Sequence, residues 1–222
     1  MGLEFMNIFD RWAESYDETV FGHGEEYKEV FEDYEQILRE VADKSRGTVV
    51  EFGVGTGNLT AKLLAKGHKV YGIEPSEAMR KQTKQKFPDL KIFDGDFLNI
   101  PSSVKEFDTI VSTYAFHHLT DSEKAKAVNL YQQLLPAKGK IVFADTVFLS
   151  IDAKNETIKK AEQQEFYNLA KDLKTEYYTT IEVLKEIFHS NGFEVSFTKL
   201  NTYVWLIDAA KVNQEVKGDE SN

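Results

Sequence analysis

Apolar residues recur along this chain at two different periods, and the change of period divides it. Phe5, Ile8, Phe9 and Trp12 fall at helical spacing. After Gly22 and Gly24, the positions Tyr27, Val30, Phe31, Tyr34, Ile37, Leu38 and Val41 form a longer stripe. Side chains three and four apart share one helix face, so two N-terminal helices are predicted, the second packed on a body that follows. From Gly47 onward, short continuous apolar runs replace the stripes. They lie at Thr48 to Phe52, His68 to Ile73, Leu90 to Phe93, Phe107 to Ser112 and Ile141 to Ala144.

Helical segments separate these runs, and each carries local punctuation. Leu59 to Lys66 ends at Gly67, where a left-handed stop suits glycine. Ser76 caps a segment reaching about Phe87, and Pro88 ends it. Thr120 and Glu123 have capping-box spacing ahead of Val128, Tyr131, Leu134 and Leu135. Ile151 to Lys174 reads as a polar helical insertion. Thr179 and Glu182 repeat the capping-box spacing before Val183, Leu184, Ile187 and Phe188, a helix closed by Gly192. Phe193 to Lys199 and Tyr203 to Ala209 read as a hairpin turning at Asn201-Thr202.

Strands alternating with helices at this pitch predict an α/β fold with a doubly wound, Rossmann-like sheet. Continuous apolar strands fit a sheet buried on both faces. The expected organisation is an N-terminal helical cap over 1–45 and a core over 46–212. The core carries an insertion at about 150–178, and a polar tail follows over 213–222.

Composition narrows the chemistry. The 222 residues carry 27 basic and 37 acidic side chains, a formal net charge of −10, which disfavours bulk nucleic acid and anionic membrane as partners. No cysteine is present, which removes disulfides, thiolate metal sites and cysteine nucleophiles. No apolar run is long enough to span a bilayer, and the first ten residues lack the basic start of a signal peptide. A cytoplasmic protein is expected.

The stretch Glu51-Phe52-Gly53-Val54-Gly55-Thr56-Gly57-Asn58 lies where the first parallel strand meets its helix. Glycines there allow a sharp turn and a close approach of backbone to ligand, and the helix start offers unpaired N–H groups. A nicotinamide fingerprint would place glycine or alanine where Asn58 stands, and no Gly-Lys-Ser or Gly-Lys-Thr follows to make a phosphate-binding loop.

The run EFGVGTG resembles motif I of the class I S-adenosylmethionine-dependent methyltransferases. The resemblance extends over roughly Thr48 to Val212, and WAESYDE, STYAFHHLTD and EYYTTI resemble the YrrT-like group of bacterial methyltransferases. It implies a seven-stranded, mainly parallel sheet with a reversed last hairpin strand. It implies S-adenosyl-L-methionine as cofactor and S-adenosyl-L-homocysteine as product. By this resemblance Gly53, Gly55 and Gly57 lie under the methionyl and ribose portion, and Glu51 helps hold the loop and the amino-acid end. Glu74 takes the ribose hydroxyls, as a carboxylate accepting from a vicinal diol. Asp96 accepts from the adenine amino group, with Asp94 a nearby competitor, and Phe97 supplies a backbone N–H. Ser112 and Thr113 lie below the sulfonium. Tyr16, Tyr114 and Phe116 are candidate aromatic faces for that cation, each with ordinary packing as the alternative. Arg11 and Tyr16 could close the carboxylate end.

Methyl transfer is an in-line displacement, so a base is needed only for a protonated nucleophile. His117 is the candidate base. Adjacent residues on a helix point apart, so His118, ahead of Leu119, is assigned to packing. No spacing suggests a metal site. The residues Ser112-Thr113-Tyr114-Ala115 lack the Asn- or Asp-Pro-Pro-Tyr of enzymes that methylate base amines, which leaves a small-molecule acceptor. The insertion, with Tyr177 and Tyr178, would cover its pocket. A non-catalytic protein that binds the same cofactor or its demethylated product is the alternative.

Overall fold

The computed structural model describes residues 24–212. Seven strands form one sheet: β1 (Thr48–Phe52), β2 (Lys69–Ile73), β3 (Lys91–Phe93), β4 (Thr109–Thr113), β5 (Lys140–Thr146), β6 (Phe193–Lys199) and β7 (Val204–Lys211), in the order β3-β2-β1-β4-β5-β7-β6. Strands β1 to β5 pair in parallel, and β7 runs antiparallel to both β5 and β6. The expected mainly parallel sheet with a reversed hairpin is therefore present. β1 has β2 on one side and β4 on the other, so the chain changes direction across the sheet there. This opens a crevice beyond the carboxyl ends of the strands.

Period-two alternation sorts the strand residues between two cores. Val49, Val111, Val142, Ala144 and Leu206 face a layer made by α1 (Tyr34–Lys44), α2 (Asn58–Ala65), α5 (Ile151–Gln163) and α6 (Tyr167–Thr175). Val50, Phe52, Ile110, Ile141, Phe143 and Ile207 face α4 (Asp121–Leu134) and α7 (Ile181–Ser190). α3 (Glu77–Lys86) follows β2. Ile37, Leu38, Val41 and Ala42 of α1 are fully buried, and each large side chain contributes roughly 1.5–3 kcal/mol. Among the described residues no helix is long and apolar enough to cross a membrane.

Several local expectations hold. Ser76 Oγ accepts from Met79 N at 3.2 Å, capping α3. Thr120 and Glu123 form a full capping box on α4. Others are corrected. The stripe from Tyr27 to Val41 is not one helix: a 3-10 turn at Glu25–Tyr27 precedes α1, and Asp33 adopts a left-handed φ of 57° between them. The cause is Asn201, whose Nδ2 donates to the Val30 and Glu32 carbonyls at 3.1 and 2.9 Å. Those carbonyls would otherwise serve a continuous helix. Val30 and Phe31 still pack on the first core.

The cap of α7 is Thr180 rather than Thr179, with Val183 three residues on, so no capping box forms. Thr179 is held extended because its carbonyl accepts from Phe148 N at 3.0 Å, while Ile181 N returns to Phe148 O at 2.9 Å. The insertion is two helices, broken where Glu165 takes a positive φ of 61°. α6 has no capping side chain of its own. Glu26 supplies one from the N-terminal turn, accepting from Asn168 N at 3.0 Å and Leu169 N at 3.1 Å. Tyr27 Oη donates to Asp172 Oδ2 at 2.5 Å on the same helix. The N-terminal segment and the insertion therefore form a common layer. The first predicted helix, Arg11 and the tail over 213–222 lie outside the described residues.

Asn201 also accepts from Tyr203 N and Val204 N through Oδ1, at 2.9 and 2.7 Å. Asn201→Ala should destabilise the protein by about 2–4 kcal/mol, since buried groups on both sides lose partners. Asn201→Asp, which keeps the acceptor and loses the donor, should fall between. Urea denaturation measures both; a change under 0.5 kcal/mol in the alanine variant would contradict this role.

Candidate active site

The loop between β1 and α2 is anchored from both flanks. Gly53 N donates to Ile73 O at 3.0 Å. Gly55 N donates to Glu74 Oε2 at 2.9 Å, and Gly55 O accepts from Thr83 Oγ1 at 2.6 Å. Two glycines are required by geometry. Gly53 has φ 65°, and a Cβ there would lie 2.9 Å from the Ala115 Cβ. Gly57 has φ 88°, and its Cβ would meet the Phe87 ring at 2.8 Å. Gly53 thus lets the loop pass directly beside the segment that follows β4.

Glu74 is buried at the end of β2. Its Oε1 accepts from Ser76 N at 2.8 Å while Oε2 holds Gly55, so one carboxylate joins the glycine loop to the start of α3. Glu51 is fully buried and receives the Thr60 hydroxyl at 2.5 Å. Burial raises its pKa to about 8 and the nearby Glu74 adds to this, against the lowering effect of the Thr60 hydrogen bonds. Burial thus favours the protonated form of the Glu51 carboxyl.

Asp96 is occupied locally. Oδ1 accepts from Leu98 N and Asn99 N at 2.7 and 3.0 Å, and Oδ2 from Asn99 Nδ2 at 2.7 Å. The competing Asp94 is exposed and lies 3.4 Å from Arg80 Nη1. The Phe97 side chain is buried and stacked on Phe52 at 5.0 Å, which leaves its backbone as the part available to a ligand. Ser112 Oγ donates to Phe52 O at 2.9 Å, and half-buried Thr113 closes β4 opposite Ala144. Tyr114 follows with φ 54°, a left-handed value rare for an aromatic residue, and its ring meets Phe31 and Tyr34. Phe116 follows the packing alternative: it is a core residue against Phe143 and Phe97, at 4.8 and 5.5 Å. Tyr16 lies outside the described residues.

Burial of the two histidines is the reverse of what the packing assignment of His118 implies. His117 is the buried one, within a 3-10 turn at Phe116–His118, and His118 is half-buried. His117 Nδ1 lies 2.6 Å from Asp145 Oδ1, and its backbone N donates to Asp145 Oδ2 at 2.8 Å. Thr146 N also donates to Asp145, at 2.7 Å. On the far side, Nε2 is 3.4 Å from Glu176 Oε2, and the ring stacks on Tyr178 at 4.7 Å. Tyr178 donates its hydroxyl to Glu176 at 2.5 Å. Burial lowers the His117 pKa, but Asp145 and Glu176 together outweigh it and the net shift is upward. Of the two tyrosines expected at a pocket, Tyr178 is half-buried in this cluster and Tyr177 is exposed.

Asp145 and Glu176 were not assigned roles from the sequence. Asp145 ends β5, the neighbour of β4, so strand adjacency carried a signal for it. Glu176 lies beyond two helices of insertion, and no spacing announces it.

A methyltransferase-domain family matches residues 49–139. An uncharacterized methyltransferase of Geobacillus sp. (strain WCH70) is 55% identical over 212 residues, covering 95% of this chain and all of its own length. One of Bacillus mycoides (strain KBAB4) is 56% identical over 214 residues, with the same coverage. The chain belongs to the class I S-adenosylmethionine-dependent methyltransferases. Solved structures share the fold at low identity. The magnesium protoporphyrin IX methyltransferase of Synechocystis PCC 6803 with bound SAM superposes with a TM-score of 0.68 at 16% identity, covering 95% of this chain and 96% of that one. A possible histamine N-methyltransferase of Thermotoga maritima gives 0.65 at 19%, covering 93% and 99%.

The raised Glu51 pKa has a defined thermal signature. The folded state keeps this proton up to about pH 8 while the unfolded chain loses it near 4.5, so this group's contribution to stability falls as pH rises between those values. Glu51→Gln should remove that component. Its melting temperature should gain on the parent as pH is raised from 5 to 8; parallel pH profiles would contradict the assignment.

Proposed function

We propose that this methyltransferase acts on a small-molecule acceptor bound beyond the carboxyl ends of the strands, beside the glycine loop. The observation that carries the reading is the Glu74 carboxylate, fixed at the end of β2 while it holds Gly55 of that loop. A carboxylate is the group that accepts from a vicinal diol, and the two ribose hydroxyls are assigned to Glu74 on that ground. Gly53, Gly55 and Gly57 let the methionyl and ribose portion lie on backbone. Asp96 makes three local hydrogen bonds out of about four that a carboxylate accepts, which leaves one for the adenine amino group beside the Phe97 N–H. Thr113 is assigned a place below the sulfonium, and Glu51 supports the amino-acid end.

In the reaction the acceptor's lone pair attacks the methyl carbon in line with the C–S bond. The bond pair passes to sulfur, and the sulfonium becomes a neutral thioether. A protonated acceptor gives its proton to His117 Nε2, and Asp145 stabilises the resulting imidazolium through Nδ1–H. The cap of α5 and α6 and the net charge of −10 favour a small acceptor over a polyanion. The porphyrin and histamine named for the two structural neighbours are both small molecules.

Calorimetry with S-adenosylhomocysteine tests the cofactor assignment. Glu74→Ala should weaken binding about 10- to 100-fold, the effect of removing an acceptor from buried donors, and Glu74→Gln less. Unchanged affinity in Glu74→Ala would remove Glu74 from the site. Turnover of a metabolite mixture by the parent protein separates an enzyme from a protein that only binds the cofactor.

A further inference from the structure

The sequence reading places the two histidines on opposite sides of a helix and finds no metal spacing. The structure changes both premises. In the short 3-10 turn the rings of His117 and His118 come together, with centroids 4.2 Å apart. Glu176 then arrives from the segment after α6. One donor atom from each of His117, His118 and Glu176 lies within 4.8 Å of the others.

The arrangement around His117 suits a metal ligand. Asp145 takes the Nδ1 side at 2.6 Å and is itself fixed by two backbone N–H groups. A carboxylate holding the remote nitrogen is the usual partner of a ligating histidine, because it sets the tautomer and ring direction. The neutral ring then presents a lone pair at Nε2, and a carboxylate oxygen faces it across 3.4 Å. That is longer than the roughly 2.7–2.9 Å of a charge-assisted hydrogen bond. It matches the separation of two donors that each sit about 2.0–2.2 Å from one tetrahedral ion. The carboxylates of Asp145, Glu176 and Asp172 set a negative local field. The nearest cation, Lys124, is directed into the Leu119 and Tyr177 carbonyls at 2.5 and 2.7 Å.

We propose that His117, His118 and Glu176 form a site for one divalent cation of the zinc, cobalt or nickel class, with Asp145 as the positioning carboxylate. Two imidazoles and one carboxylate suit these borderline ions and disfavour magnesium, which prefers an all-oxygen shell. The three ligands come from the turn after β4 and from the end of the insertion, so the ion fastens the cap to the sheet. It also takes the Nε2 lone pair that the proposed methyl transfer gives to a proton, so bound metal would oppose that step.

The site is tested without reference to activity. Chelator-treated full-length protein is titrated with Zn2+ against a chromophoric chelator, and with Co2+ by visible absorption. One equivalent should bind, with the intense d–d bands of a four-coordinate Co2+ site, and excess Mg2+ should not displace it. His118→Ala and Glu176→Gln should each lower Zn2+ affinity at least tenfold, whereas His68→Ala and His189→Ala should not change it. Asp145→Asn should lower it about 10- to 100-fold by freeing the ring. Absence of stoichiometric Zn2+ binding, or affinity unchanged in both His118→Ala and Glu176→Gln, would overturn the proposal. S-adenosylhomocysteine binding in the same samples keeps this outcome separate: metal lost with cofactor retained fails the metal site alone.

Discussion

The structure depends on the divergence of β1's two neighbours. Parallel strands must be joined by crossovers, and here the chain crosses to β2 on one side of β1 and to β4 on the other. The carboxyl end of β1 is therefore left open between two helical layers. The glycine loop fills that opening, and two side chains fix it, Glu74 from β2 and Thr83 from α3. Neither contact stabilises the sheet itself. Their effect is to hold backbone N–H groups and a carboxylate in one place before any ligand arrives, which reduces the cost of ordering them on binding.

A second centre forms one strand further along, where β4 and β5 end side by side. Asp145 grips His117 through both its backbone and its ring, and this forces the turn after β4 into a short 3-10 form. The insertion then closes over the ring with Tyr178 and Glu176. The layer that brings Glu176 there is itself tied down by Glu26 and Tyr27 on α6. Cap, turn and sheet thus converge on a single imidazole.

Much of this was legible in the chain. The alternation of short apolar runs with capped helices specified the doubly wound sheet, because buried parallel strands and amphipathic crossovers leave different periodic traces. Gly53, Gly55 and Gly57 stand out because a sharp strand-to-helix turn makes local conformational demands, whereas Glu74 enters through the family resemblance. What was missed depended on distance in sequence. The helical stripe through Val30 and Phe31 was misread because its interruption comes from Asn201, about 170 residues later. The pairing of His117 with Asp145 and Glu176 is equally non-local, and the reasoning that adjacent histidines diverge fails in a turn too short to be an α-helix. Phe116 shows the converse: its aromatic character suits a cation, but its position serves the core between Phe97 and Phe143.

The central claim is that the ends of β1 and β2 are built for S-adenosylmethionine. Isothermal titration of the ligand-free protein with S-adenosylmethionine, with NAD as the control, addresses it most directly. The account predicts saturable one-to-one binding of S-adenosylmethionine and no heat with NAD. Absence of S-adenosylmethionine binding in protein shown to be folded and stripped of co-purified ligand would contradict it.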